Sequence, residues 1–492
     1  MSDTTMSMSH LLREAINGHA KARRTAFLGS SGDVTYAELG RLIDRHAAAT
    51  RERGIRRGEL VGIAAVKGAD SIGAFLGTMQ AGACPCFVEP RIGARAIAER
   101  MRAVGVRHLL LDGHTGLSRE ALAEEGISVH ALAATPSSSY ADDGITGGDR
   151  AMVLFTSGST GRPKGVVLSH TNLRTNATGV LEHTGVTPAD RLLHLMPLHH
   201  TNGVNNQLIV PLLAGASIVL TERFRAEEVI GHLRRHSPTY VTGVPTMYSR
   251  MLPYVRAGDA FPSLRFLRCG SAPITVAQHE RFEEAFGVPL VVSYGLSEAT
   301  CTSTMNPPGA RRVGTVGTVL RDQRVRLFHP GTDRPVAPGA SGEIRIGGPA
   351  LMTGYLGAET DGPIVDGWLR TGDLGRFDSD GYLSITGRIK DVIIRGGENL
   401  SPALIEGELA THPAVRECCV VGRPDADLGE VPVAFVALHD PRAGLAAEEL
   451  QELVRARLSH VYVPAEITMV DALPVNGVGK VDRVALRAAL GG

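Results

Sequence analysis

The sequence predicts an α/β protein with a β-rich region inside it and a further α+β unit at its C-terminal end. Three observations predict this. Short apolar strands alternate with capped helices through the first part of the chain. From about Gly314 glycines become frequent and strands short, as in GEIRIGG (Gly342 to Gly348). After Arg388 the pattern returns to mixed helix and strand for roughly a hundred residues, enough for an independent domain.

Taken in order, Thr35 with Glu38 forms a capping box that opens a helix through about Ala49. LVGIAAV (Leu60 to Val66) has the pattern of a buried strand and leads into a helix to about Gln80. Thr135 to Arg150, rich in serine, glycine and aspartate, reads as a surface loop. AMVLF (Ala151 to Phe155) reads as a buried strand. Ile218 to Leu220 and Leu290 to Ser293 read as strands, and Thr275 with Gln278 caps a helix to about Phe286. Ser401 and Pro402 are an N-cap and N1 pair for a helix ending near His412 and Pro413. ECCVVG and VPVAFVAL then read as strands, and Glu448 to Leu458 as a helix.

The 492 residues carry 51 Lys plus Arg and 51 Asp plus Glu, a formal net charge of zero. Such a balance gives no electrostatic reason to expect nucleic acid or an anionic membrane as partner. No apolar run has the length of a membrane span, and MSDTTMSMSH lacks the apolar stretch of a signal peptide, so a cytoplasmic protein is expected. The six cysteines show no zinc spacing and read as reduced buried thiols.

The chemistry concentrates in TSGSTGRPKG, which follows the AMVLF strand. Its glycines let backbone amides approach a ligand, its hydroxyls donate hydrogen bonds, and Lys164 adds a point charge. A polyphosphate suits such a loop. It is not a Walker A loop, because Pro163 precedes the lysine, Gly165 follows it, and VVL then reads as strand rather than helix.

TSGSTGRPKG resembles the phosphate-loop signature of the adenylate-forming superfamily, which includes the acyl-CoA synthetases, the adenylation domains of peptide synthetases and the luciferases. YGLSEAT (Tyr294 to Thr300) resembles the family's YGxTE motif, with Ser297 in place of the usual threonine. WLRTGDLG (Trp368 to Gly375), GYLSITGRIKD (Gly381 to Asp391) and PVNGVGKVDR (Pro474 to Arg483) resemble the TGD, hinge and C-terminal lysine motifs, in the family's order. The resemblance implies a large N-terminal domain (1–388) of two α/β subdomains plus a small β-barrel-like one, a hinge (389–391), and a small mobile α+β C-terminal domain (392–492).

The same resemblance implies ATP, Mg2+ and coenzyme A as reactants and cofactors. It implies an ATP site built from Thr156, Ser157, Gly158, Ser159, Thr160, Gly161 and Lys164, from Gly270, Ser271, Ala272 and Pro273, and from Ser293, Tyr294, Gly295, Leu296 and Ser297. Asp373 would accept from the ribose hydroxyls, and Arg388 would contact the ribose or a phosphate. Glu298 and Thr160 would hold magnesium. Lys480 would be the adenylation lysine, Lys390 the hinge, and Gly396, Gly397 and Glu398 of RGGENLSP the path of CoA.

MPLHHTNGV, GVPTMYSR and CGSAPI resemble the segments that line the acyl pocket, which implies His200, Gly203, Val204, Gly243, Arg250, Gly270, Ser271 and Gly295 around the acid. His200 would gate the carboxylate. Amino-acid-activating relatives place an aspartate in the first of these segments, and none stands there, which argues against an α-amino acid. Apolar aliphatic, aryl or bulky alicyclic acids are favoured, and the small residues Gly203, Gly243, Gly270, Ala272 and Gly295 suggest a roomy pocket. Arg250 keeps a dicarboxylate open, although HHTNG departs from the FHVHG-like form of malonyl-CoA synthetases. RGGEN favours CoA as acceptor over a carrier-protein phosphopantetheine. Retention of Lys480, Glu298 and Asp373 argues against a non-catalytic relative, and no feature supports luciferase-like oxidation. A monomer or homodimer is expected.

Overall fold

The computed structural model describes residues 6–29, 32–133, 144–157, 163–256, 258–356, 362–442, 444–475 and 481–490. The chain is mixed α/β with a separate C-terminal domain. Most of the 135–150 loop, Gly158 to Gly161 and Lys480 lie outside the described residues.

Nine strands form the largest sheet. Its central run, in spatial order, is Leu290–Tyr294, Phe266–Cys269, Tyr240–Gly243, Arg191–His194, Ser217–Leu220 and Thr25–Leu28, every neighbouring pair parallel. These strands are short and largely buried, as expected of a sheet covered by helices on each side. A second sheet of four strands is parallel throughout and contains Leu60–Ala64 and the cysteine strand Cys84–Phe87. The helix Tyr36–Glu52 opens with the expected Thr35–Glu38 capping box and packs against Ala69–Gln80. Gly77 makes that crossing possible, because a side chain there would sit 2.6 Å from the Ile43 carbonyl.

The AMVLF strand has a different setting from the parallel strands. Arg150–Ser157 pairs antiparallel with Pro163–Ser169, with Thr156 opposite Lys164, and Gly354–Leu356 adds on the far side. The glycine-rich loop thus joins two strands of a hairpin, the physical reason it differs from a loop that opens a helix.

The β-rich region forms a five-stranded antiparallel sheet that includes Gly342–Gly347, Trp368–Phe377 and Leu383–Arg388. The C-terminal sheet is built on the long pair Val415–Asp425 and Gly429–Leu438. Ser401 stands at the N-cap of Pro402–Leu409, but its hydroxyl makes no cap bond. It donates instead to the Thr386 carbonyl and ties the last domain to the strand before it. The helix ends at Leu409, short of His412, because the following turns tighten to i→i+3 bonds ahead of Pro413. No helix among the described residues is long and apolar enough to cross a membrane.

Candidate active site

Parallel strands present their carboxyl ends on one edge, and that edge is where ligands bind in open α/β sheets. Here four adjacent strands end there. Arg191–His194 leads into MPLHH, Tyr240–Gly243 into GVPTMY, Phe266–Cys269 into CGSAPI and Leu290–Tyr294 into YGLSEAT. Segments scattered over about a hundred residues therefore share one rim.

The first constellation on that rim joins Tyr294, Asp373 and Arg388. Asp373 stands directly opposite Arg388 in the antiparallel ladder, a position where opposite charges attract. The Arg388 Nε donates to Asp373 Oδ1, and the Tyr294 hydroxyl donates to Asp373 Oδ2 at 2.7 Å. Burial and the Asp373 carboxylate together hold the Tyr294 phenol protonated, well above its ordinary range. Burial opposes the charge on Arg388, but Asp373 outweighs it and the pKa is raised. The result is a carboxylate only 5% exposed and fixed by two donors.

Lys164, Tyr355 and Glu298 form the second constellation. The Tyr355 hydroxyl donates to Glu298 Oε1 at 2.7 Å, and the Lys164 ammonium lies 5.2 Å from the centre of the Tyr355 ring. Strand pairing puts them together, since Tyr355 faces Val166 and Leu356 faces Gly165. Tyr355 is a residue sequence reasoning missed. Its contact depends on pairing between strands some 190 positions apart, which leaves no local signal. Since the family resemblance implies magnesium on Glu298, we expect Tyr355→Phe to raise the magnesium concentration for half-maximal rate by about tenfold, the value of one hydrogen bond to a charged group, with little change in thermal unfolding. A magnesium titration of pyrophosphate release measures it.

The MPLHH segment is held from two sides. Lys67, half-buried and with its ammonium pushed down by desolvation to about 7, donates to the His194 and Met196 carbonyls, each at 3.2 Å. Glu89 lies 3.5 Å from His199, and the His199 and His200 rings stand 4.5 Å apart between centroids. Beyond them Asn202–Ile209 is a buried π-helix. Pro211, which follows, has no N–H to return to the preceding turn, a cause of such widening. Its buried amides were not singled out from the sequence. Gln207 accepts from Leu195 N–H at 3.1 Å, and Asn205 donates to Asn176 at 2.8 Å.

One expectation about the acid pocket is corrected here. The glycines are small because neighbouring groups occupy the place of a side chain, so their size is no sign of a roomy pocket. A side chain at Gly203 would meet the Pro197 carbonyl at 2.0 Å, and one at Gly295 the Cys301 carbonyl at 2.0 Å. The backbone already fills those positions, and Gly243 and Gly270 are covered by Tyr248 and Ser293. Arg250 is exposed on Pro245–Met251, whereas Tyr248 of the same helix turns into the core. The buried arginine at this edge is Arg268.

Backbone strain gathers at the same rim. Ser271, Thr300 and Cys301 have φ of 66°, 67° and 146°, conformations that side-chain-bearing residues adopt at a cost and that concentrate at functional sites. In the C-terminal domain Gly396 and Gly397 form the two-residue turn between Ile393–Arg395 and Glu398–Leu400, both with positive φ, as a type I′ hairpin requires. Lys390 lies in the short turn Ile389–Asp391 between the sheets of the two domains.

Comparison with known proteins agrees with this layout. Residues 13–356 match the AMP-binding enzyme family, and residues 404–480 match the AMP-binding enzyme C-terminal domain. The chain is 34% identical to a sulfoacetate–CoA ligase of Cupriavidus necator over 91% of its length and 90% of that protein. It is 33% identical to a feruloyl-CoA synthase of an Amycolatopsis species, with 93% and 94% covered. Among solved structures, ATP-bound MatB from Rhodopseudomonas palustris superimposes with a TM-score of 0.89 at 29% identity, covering 98% of this chain and 99% of that one.

Proposed function

The chain belongs to the AMP-binding enzyme family as an AMP-forming acyl-CoA synthetase, and from that premise we propose the course of its reaction. A carboxylic acid attacks the α-phosphate of ATP, pyrophosphate leaves, and the CoA thiol then displaces AMP from the acyl-adenylate. The observation that carries this reading is the meeting of both constellations, Tyr294–Asp373–Arg388 and Lys164–Tyr355–Glu298, around the edge where the four pocket segments end.

Each group has a physical task. Carboxylate and triphosphate are both anions, so repulsion is the first obstacle. Lys164 and the loop amides around Thr156 to Gly161 would take up charge on the leaving pyrophosphate. Asp373, pre-oriented by its two donors, would accept from the ribose hydroxyls. Tyr294 would pack against the base, and His200 would border the carboxylate as it approaches. Lys480 would bring positive charge to the α-phosphate in the transition state.

Magnesium would be held by Glu298, whose carboxylate accepts from the Tyr355 hydroxyl beside Lys164. No cluster of three or more His, Cys, Asp or Glu side chains suited to a metal occurs among the described residues, and magnesium commonly uses one or two carboxylates beside phosphate oxygens and water. Bound there, with Thr160 proposed as a second residue to hold it, it would supply charge neutralisation on the outer phosphates.

For the second step the C-terminal domain would turn about Lys390 and bring Gly396, Gly397 and Glu398 to the site. The acid itself is not an α-amino acid on this reading, since MPLHHTNGV offers no carboxylate and Glu89 is engaged by Arg91 and His199. The relatives' named acids, sulfoacetate and ferulate, differ at the end remote from the reacting carboxyl, and that end is read from this chain below.

Separating the two steps tests the proposal. Lys390→Pro should keep acid-dependent exchange of pyrophosphate into ATP near the wild-type rate and abolish CoA-dependent thioester formation. Unchanged thioester formation in that variant would remove the hinge from the account.

A further inference from the structure

We infer that Arg268 is the specificity residue of the acid site, and that the acid it selects carries a second anionic group, a carboxylate or sulfonate, at the end away from the carboxyl that is activated. This rests on the reading of the site as that of an acid–CoA ligase.

Arg268 lies on the strand Phe266–Cys269, where alternation sends Leu267 and Cys269 into one apolar cluster and turns Arg268 to the opposite face. It is 3% exposed. A guanidinium taken out of water is costly unless an anion faces it. Among the described residues none does. No carboxylate lies within ion-pair distance, and the bonds it makes go to neutral hydroxyls. Nη2 donates to Thr302 Oγ1 at 2.7 Å and reaches Ser293 Oγ at 3.5 Å. Its Nε is buried without a partner.

The neighbouring strand adds unused donors on the same face. Thr242 stands opposite Arg268 in register, and Tyr240 opposite Phe266. Both hydroxyls are buried and unpartnered. The unpaired acceptors close by, the amide oxygens of Asn205 and Asn206, are neutral and do not balance a full charge. Burial holds the thiol of Cys301 protonated, so it supplies no counter-charge either.

Position connects this cluster to the acid. The Tyr248 hydroxyl of GVPTMY donates to the Arg268 carbonyl at 2.7 Å. Ser293 and Thr302 flank YGLSEAT, and Asn206, on the helix that continues PLHHTNGV, donates to Thr302 Oγ1 at 3.2 Å. Gly270 of CGSAPI is two residues further along. All four segments around the acid thus close on Arg268, about 7 Å below Gly270 at the spacing of an extended chain. A compact acid reaching down from the rim would put its far end there. An anion at that end would supply the missing counter-charge and accept from Arg268 and Thr242, whereas an alkyl end would leave them unpaired.

Acid-dependent pyrophosphate exchange by the wild-type enzyme decides this without any variant. The probes are succinate, glutarate and sulfoacetate against the neutral-ended butyrate, valerate and succinamate. We expect kcat/KM for the anion-ended acids to exceed that of their neutral counterparts by about 10²-fold or more. Arg268→Met should lower the anion-ended acids by about 10²–10³-fold and leave the neutral-ended ones within about threefold, and Arg268→Lys should restore part of the loss. Equal or better use of the neutral-ended acids by wild type would overturn the inference. So would an Arg268→Met enzyme that loses all acids alike, the behaviour of a structural brace. If no acid of either set, nor benzoate, octanoate or ferulate, supports exchange, the ligase reading itself fails. Exchange with those last acids alone contradicts only the second anion.

Discussion

Lys480→Ala is expected to lower acid-dependent pyrophosphate exchange by about 10²–10³-fold, the usual cost of removing one group that stabilises transition-state charge. Transfer of a supplied acyl-adenylate to CoA should continue near the wild-type rate. The split follows from where charge develops. In the first step the α-phosphate gains a fifth oxygen while carboxylate and phosphate charges are pressed together, and a cation between them lowers the barrier. In the second step a thiol attacks a carbonyl whose leaving group, AMP, already exists. A lysine placed at the α-phosphate by a mobile domain matters to the first and not to the second. Exchange at a near-native rate in Lys480→Ala would remove that lysine from the mechanism, and equal loss of both steps would make it structural.

Asp373→Ala is expected to lower kcat/KM for ATP by about 10²-fold and to destabilise the fold as well. The carboxylate holds Arg388 and Tyr294 in one arrangement. Without it both donors lose their acceptor at a largely buried position, a change that costs on the order of 1–3 kcal/mol per unsatisfied group, reduced here because Arg388 is partly exposed. Asp373→Asn separates the two effects. It retains the shape and one acceptor oxygen, so it should recover much of the lost stability while the ATP defect persists. Chemical denaturation and initial rates over an ATP series measure each. An Asn variant with native ATP kinetics would show that Asp373 serves the fold alone.

Much of this site could be read from the sequence because its chemistry sits in short contiguous segments. The loop from Thr156 to Lys164, YGLSEAT and the TGD and hinge segments each carry their own pattern, and the cross-strand pair Asp373–Arg388 joins two of them. What escaped the sequence depends on pairing at a distance. Tyr355 reaches Glu298 only because Gly354–Leu356 pairs with the strand after the phosphate loop. Arg268 sits in RFLRC, where a lone charge looks like an ordinary strand residue, and only the sheet register reveals that it faces Thr242 without an anion. The glycines misled for a related reason. A small residue marks close approach, and the sequence does not say whether substrate or backbone approaches. At Gly203 and Gly295 it is backbone. Similarly, Ser401 has the composition of a helix cap, yet its hydroxyl bonds across the domain boundary.

The most direct test is to identify the nucleotide products when the wild-type enzyme is given ATP, magnesium, the acid panel and CoA. The account requires acid-dependent formation of AMP and pyrophosphate in equal amounts, exchange of labelled pyrophosphate into ATP before CoA is added, and one acyl-CoA per AMP once it is. ADP and phosphate as products, or AMP release that is indifferent to the acid, would contradict it.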